Sequence, residues 1–131
     1  MISESKVGDQ KLHACRVEEA RATQLDRRTY ERLAATFGAL ADPTRARVVH
    51  LLLERELCTA DLAVVVGVSE PAVSQHLKVL RGLGLVRARR EGRFVYYRLD
   101  DDHVAQLVRT SLTHLAEEGE ARLERGGRRD G

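Results

Sequence analysis

Apolar residues recur at helical spacing along most of this chain. Tyr30, Leu33, Ala34, Phe37 and Leu40 form one stripe, on a helix that begins near Leu25. Ala41-Asp42-Pro43-Thr44 stops that helix and starts another, since Asp42 can cap and Pro43 suits a first helical position. The second helix runs through Ala46, Val49, Leu52 and Leu53. Thr59 is placed to cap a short helix, Ala60–Val66, which Gly67 closes. Ser69 caps the next, with Pro71 in its first turn, Val73, Leu77 and Leu80 on its apolar side, and Gly82 and Gly84 at its end. The period then shortens: residues 85–90 and 93–99 read as two strands joined by a turn at Glu91-Gly92. A last helix, about Asp101–Glu118, turns Val104, Leu107, Val108, Ser111, Leu112 and Leu115 toward a partner. Residues 1–24 are polar and weakly periodic and read as a mobile arm, with room for a short helix near Arg16–Gln24. Residues 119–131 read as a disordered tail, and residues 25–118 as the folded domain.

Two short helices joined by Gly67-Val68-Ser69 and followed by a basic hairpin predict a winged helix-turn-helix, mainly α with a β-hairpin wing. The length of 131 residues fits one domain with one modest core. No apolar run approaches the ~20 residues of a membrane span, and the N-terminus carries no hydrophobic segment of a secretory signal. A cytoplasmic protein without a membrane partner is expected. Cys15 and Cys58 are too few for a disulfide framework and read as cytosolic thiols or metal ligands.

The net charge of +2 conceals a strong asymmetry. From Val68 to Arg93 six basic residues face two acids, whereas from Asp100 to Glu118 five acids face Arg109 alone. The basic stretch suggests a polyanion and the acidic stretch, which carries histidine, a cation. The second helix of the pair would enter the DNA major groove with Glu70, Pro71, Ser74, Gln75 and Lys78 on or near its outer side and Ser69 at its start. Ser74 and Gln75 suit base edges, Lys78 and Arg81 suit phosphate, and Arg90 and Arg93 flank the hairpin tip where they would follow the neighbouring backbone. His76 reads as a structural residue or a minor DNA contact rather than a metal ligand, and His50 as a packed or half-exposed helix residue rather than a site.

Asp101, His103, His114 and Glu117 share the last helix. His103 and His114 fall within about 20° of each other at ~100° per residue, yet lie about 16 Å apart along the axis. One ion therefore cannot reach both within one helix, because metal–nitrogen bonds are about 2 Å. The midpoint of the two histidines along the chain falls within half a residue of the midpoint of Asp101 and Glu117. Two antiparallel copies about a two-fold axis near Arg109 would place Asp101 and His103 of one beside His114 and Glu117 of the other. The expectation is two symmetric O2N2 sites suited to Zn(II) at a homodimer interface. A softer set is Cys58 and Asp61, three residues apart, with His13 and Cys15 on the arm. These four offer S2NO ligation for Zn(II) or Cd(II), or thiolates for Cu(I). The competing readings are a buried free Cys58 with an uninvolved arm, and a Cys15–Cys58 disulfide, which a reducing cytosol disfavours.

Three runs closely resemble the ArsR/SmtB family of metal-sensing repressors: Glu56-Leu57-Cys58-Thr59-Ala60-Asp61-Leu62, Gly67-Val68-Ser69-Glu70-Pro71-Ala72-Val73-Ser74-Gln75-His76-Leu77, and Glu91-Gly92-Arg93-Phe94-Val95-Tyr96-Tyr97. Ala-Asp-Pro-Thr-Arg at 41–45 resembles the family's earlier helix junction, and the likeness covers about residues 30–118. The resemblance implies a homodimer, joined through its N- and C-terminal helices, that binds operator DNA when metal-free and releases it on binding metal. It also implies that Asp101, His103, His114 and Glu117 form the family's interhelical zinc site. Cys58 and Asp61 match a second site that the other subunit's arm completes; the arm match is looser. The rival readings are a winged-helix repressor that senses oxidant through Cys15 and Cys58 or binds an organic ligand, and a metal-buffering protein with no DNA role. An enzyme is not expected, because no nucleophile with a matched base and no phosphate-cradling loop is present.

Overall fold

A computed structural model describes residues 4–125. In chain order the elements are α1 (Glu4–Thr23), α2 (Arg27–Leu40), α3 (Pro43–Leu51), β1 (Leu57–Cys58), α4 (Thr59–Val66), α5 (Glu70–Gly82), β2 (Val86–Glu91), β3 (Phe94–Leu99) and α6 (Asp102–Arg125). The chain forms two compact units, the first ending at Ala34 and the second starting at Ala35.

In the first unit, the segment expected as an arm is a 20-residue helix, α1. Its sequence lacks proline and is rich in Glu, Lys, Arg and Ala, so intrinsic propensity favours helix without any apolar stripe. An Arg21–Glu18 pair at 2.9 Å adds local support. The residues from Lys11 to Thr23 are all exposed, which is why apolar periodicity did not reveal the helix. The next helix starts at Arg27 rather than Leu25, because Asp26 Oδ1 accepts the Thr29 N–H at 2.9 Å and so acts as the cap.

The second unit holds the core, in which Val48, Val49, Leu62, Val73, Leu77 and Leu80 are almost wholly excluded from water. Asp42 caps α3 by accepting the Arg45 N–H at 3.0 Å, with Pro43 in the first turn. That hydrogen bond holds the Asp42 carboxyl below its ordinary pKa range. Helix α4 departs from expectation by one residue. Cys58, not Thr59, stands at its N-cap, without a side-chain cap bond, because Leu57 and Cys58 pair with Tyr97 and Tyr96 of β3. This two-residue strand was not anticipated; it makes a three-stranded sheet in the order β1-β3-β2. Gly67, at φ 81°, ends α4 in the left-handed region that glycine tolerates. Arg47 donates to the carbonyls of Val65 at 3.0 Å and Val66 at 3.2 Å, satisfying acceptors at that helix end.

Ser69 caps α5, its Oγ accepting the Ala72 N–H at 3.2 Å. Ser69→Ala is expected to lower unfolding free energy by about 1 kcal/mol in urea melts; an unchanged midpoint would show that the cap contributes nothing. The hairpin loop is Gly92-Arg93, one residue later than expected, with Glu91 paired to Phe94. Gly92 has φ 61° while no non-glycine residue among those described has positive φ, the sign pattern of a type II′ turn. The register pairs Val86 with Leu99 and Ala88 with Tyr97. Val86 and Leu99 are core residues and Tyr97 packs against that core, so this face of the sheet turns inward. Helix α6 continues to Arg125, beyond the expected end at Glu118. Helix-favouring Glu120, Ala121, Arg122 and Leu123 outweigh Gly119, and Arg122 pairs with Glu118 at 2.9 Å. The remainder of the expected tail, residues 126–131, lies outside the described residues.

Candidate nucleic-acid interface and metal-ligand residues

Helices α4 and α5 with the β2–β3 hairpin build one basic face. Val73, Leu77 and Leu80 anchor α5 in the core, which leaves Glu70, Pro71, Ser74, Gln75, Lys78 and Arg81 exposed on its other sides. Ser69 is exposed too, its hydroxyl oxygen engaged as the cap. Arg90 and Arg93 are exposed near the hairpin tip, and the Arg93 guanidinium lies 5.4 Å from the Phe94 ring centroid.

Ion pairing divides the six bases of this stretch into two groups. Arg87 pairs with Asp100. Arg89 pairs with Glu56 at 2.9 Å and Glu91 at 2.8 Å and pulls the Glu56 carboxyl below its ordinary range. Lys78, Arg81, Arg90 and Arg93 have no ion-pair partner among the described residues. These four are free to meet a polyanion, whereas Arg87 and Arg89 hold the base of the wing. His76 is structural: its Nδ1 accepts the Arg45 Nε–H at 3.2 Å, tying α3 to α5. The Arg45–His76, Arg89–Glu56 and Arg87–Asp100 links escaped sequence reasoning, because no local pattern marks pairs between elements.

The α6 donors lie at the surface. Asp101 is the residue before the helix; its Oδ1 accepts the Val104 N–H at 3.1 Å and its Oδ2 lies 3.5 Å from His103 Nδ1. The backbone bond first, then His103, hold its carboxyl below the ordinary range. The His103 side chain is 94% exposed and that of His114 73% exposed. His114 Nε2 lies 3.3 Å from Glu118 Oε2, so within the chain this neighbour, not Glu117, meets it. Among the described residues of one chain, no three His, Cys, Asp or Glu side chains converge on a metal position. Two imidazoles and two carboxylates open to solvent suit a divalent ion of the zinc type once a second helix supplies half of the set. Beside them Leu107, Val108, Leu112 and Leu115 line, with Phe37 and Leu40, an apolar groove of about 330 Å³ that also takes in His50.

The softer donor set is divided between the two units, His13 and Cys15 in the first and Cys58 and Asp61 in the second. Cys58 is 7% exposed, whereas Asp61 is exposed. His13 and Cys15 both lie on α1, two residues apart, so the helix points them about 160° from each other and they do not share a face. Both cysteines are free thiols.

Residues 42–88 match the model of the bacterial regulatory proteins of the arsR family. The chain is 49% identical over 87 residues to a transcriptional repressor SmtB homolog of Synechocystis, a match spanning 66% of each protein. It is 36% identical over 118 residues to a cadmium resistance transcriptional regulatory protein CadC homolog of Staphylococcus aureus, covering 89% of this chain and 93% of that one. In three dimensions it resembles the solution structure of a homodimeric winged helix-turn-helix DNA-binding domain from Mycobacterium bovis. The TM-score is 0.64 with 31% identity, over 77% of this chain and 94% of the other. These relatives are regulators of transcription, not enzymes. With its capped α4–α5 pair, its hairpin wing and these relatives, the chain belongs to the ArsR/SmtB family of winged helix-turn-helix transcriptional regulators.

Proposed function

We propose that this chain is a metal-responsive transcriptional repressor of the bacterial cytoplasm. As a metal-free homodimer it binds operator DNA, and it dissociates on binding Zn(II), with Cd(II) and Cu(I) as further candidate effectors. The observation that carries this reading is the donor row on α6. Asp101, His103, His114 and Glu117 are surface groups too far apart for one chain to use on one ion, yet an antiparallel second copy completes them twice. Dimerisation is supported by the neighbouring apolar groove, since a second copy covering it would remove Leu112 and Leu115 from water.

In the metal-free dimer two α5 helices would face successive major grooves about one turn apart. Ser74 and Gln75 would meet base edges, with Ser69, Glu70 and Pro71 at the helix start nearby. Lys78, Arg81, Arg90 and Arg93 would neutralise phosphates. Bound zinc would supply a cross-link between the α6 helices of the two chains. In the Asp101 cap Oδ1 takes the Val104 N–H while Oδ2 faces His103 Nδ1, so the carboxylate offers an oxygen beside the imidazole at the start of α6. A coupling of about 3 kcal/mol would weaken DNA binding roughly a hundredfold. Cys58, Asp61, His13 and Cys15 remain a second donor set, which requires the Cys58 thiol to emerge and α1 to open between residues 13 and 15 if both arm residues are to serve one ion.

The test is fluorescence anisotropy of a labelled promoter fragment in reducing buffer, with and without excess Zn²⁺. Tight metal-free binding that zinc weakens about a hundredfold, and that His103→Ala renders insensitive, is the expected result. Equal affinity with and without zinc would refute zinc regulation and turn the search to Cd(II), Cu(I), oxidants or an organic effector.

A further inference from the structure

A second feature of the basic face lies behind its outer row of side chains. Between the C-terminal half of α5 and the inner face of the hairpin is a cleft of about 530 Å³ lined by Ser74, Leu77, Lys78, Arg81, Gly82 and Tyr97. Leu77 forms its apolar floor. Two cations and two hydroxyls complete the lining, and none of these four side chains has a hydrogen-bond or ion-pair partner among the described residues. Tyr97 is held on both sides, paired with Ala88 of β2 and Leu57 of β1, and its ring packs on the core. Its position is therefore set by the sheet rather than by side-chain rotamer freedom. No side-chain oxygen or nitrogen is buried without a partner among the described residues, so the unpartnered Tyr97 hydroxyl opens to solvent.

We propose that this cleft is a seat for one backbone phosphate of duplex DNA and that Tyr97 is a positioning residue for the DNA, donating its hydroxyl to that phosphate beside Lys78 and Arg81. The inference rests on the DNA-binding reading above and adds a residue to it. A phosphodiester fits the lining: two positive charges meet its anionic oxygens, and the neutral O–H donor of Tyr97 takes a remaining acceptor position. The place also suits it. The cleft lies in the angle between the helix expected in the major groove and the wing expected on the adjacent backbone, where a strand passing from one to the other must run. A phosphate seated there carries no sequence information, but it fixes the depth and angle of α5 in the groove.

The test is Tyr97→Phe, which removes the hydroxyl and keeps the ring, against a salt series on a short mixed-sequence duplex. Metal-free affinity is expected to fall about tenfold at every salt concentration, with the slope of log affinity against log salt unchanged because the lost donor is neutral. Lys78→Ala should instead reduce that slope by about 1.8, because the dimer loses two phosphate contacts. Tyr96→Phe, on the outer face where the Arg89 guanidinium lies 5.1 Å from the ring centroid, serves as the control and should bind as the parent does. A Tyr97→Phe protein that melts like the parent and binds DNA equally well overturns the inference while leaving the DNA-binding reading intact. Absence of any salt-dependent binding by the parent protein overturns both.

Discussion

Replacing Lys78, Arg81, Arg90 and Arg93 together with alanine is expected to weaken DNA binding by the dimer roughly 10^5- to 10^6-fold at ~0.15 M salt, with the salt slope falling by about 7, because each of the four residues occurs twice. Each phosphate contact contributes roughly 0.9 to the slope, which is about fivefold in affinity at that ionic strength. The prediction depends on structure rather than on composition. Arg87 and Arg89 belong to the same basic stretch, yet their charges are already met by Asp100, Glu56 and Glu91. Arg87→Ala with Arg89→Ala should therefore leave the slope nearly unchanged. Anisotropy over a salt series reads both quantities. If the paired arginines reduced the slope as much as the unpaired ones, the assignment of the interface by ion pairing would fail.

Leu77→Ala should act on the other side of the same helix and lower unfolding free energy by about 2–5 kcal/mol. Leu77 is 1% exposed and packs in the core shared by α3, α4 and the inner face of the hairpin. Domains of this kind have about 5–15 kcal/mol in all, so the variant should be close to unfolding. Its neighbour Lys78, one residue on and exposed, should change stability by no more than about 0.5 kcal/mol when replaced by alanine. Urea denaturation at fixed protein concentration measures both, with concentration held because dimerisation would add to apparent stability. A Leu77→Ala protein as stable as the parent would mean that α5 is not held by this face.

Together the two variants separate the faces of α5. The buried face determines whether the helix exists in place, and the outer face with the wing determines what it touches. The periodicity of Val73, Leu77 and Leu80 made this division legible in advance. So did the caps: Asp42 and Ser69 both accept the backbone N–H of the residue three along, as their types and positions suggested. Helix α1 was less legible, because a solvated helix of good helix formers has no apolar face to announce it. Its consequence for chemistry is direct. An extended arm could bring His13 and Cys15 to one ion, but the helix turns them apart.

What the sequence by itself determined is whatever depends on residues close together along the chain. That includes the helix pair with its Gly67 stop, the hairpin, the family resemblance, and the row of donors on α6 whose spacing forbids one chain from using it on one ion. The tertiary structure decided what depends on distant partners. Residues 57–58 became a strand, drawing Cys58 into the interior, because β3 offered it a free edge. Which bases of the wing remained available was settled by acids as far away in sequence as Glu56, and the position of Tyr97 beside Lys78 and Arg81 by strand register. The physical reason is the same throughout. Caps, turns and amphipathic periods arise from interactions across a few residues, whereas burial, charge pairing and clefts arise from interactions across the fold, where sequence spacing carries no distance.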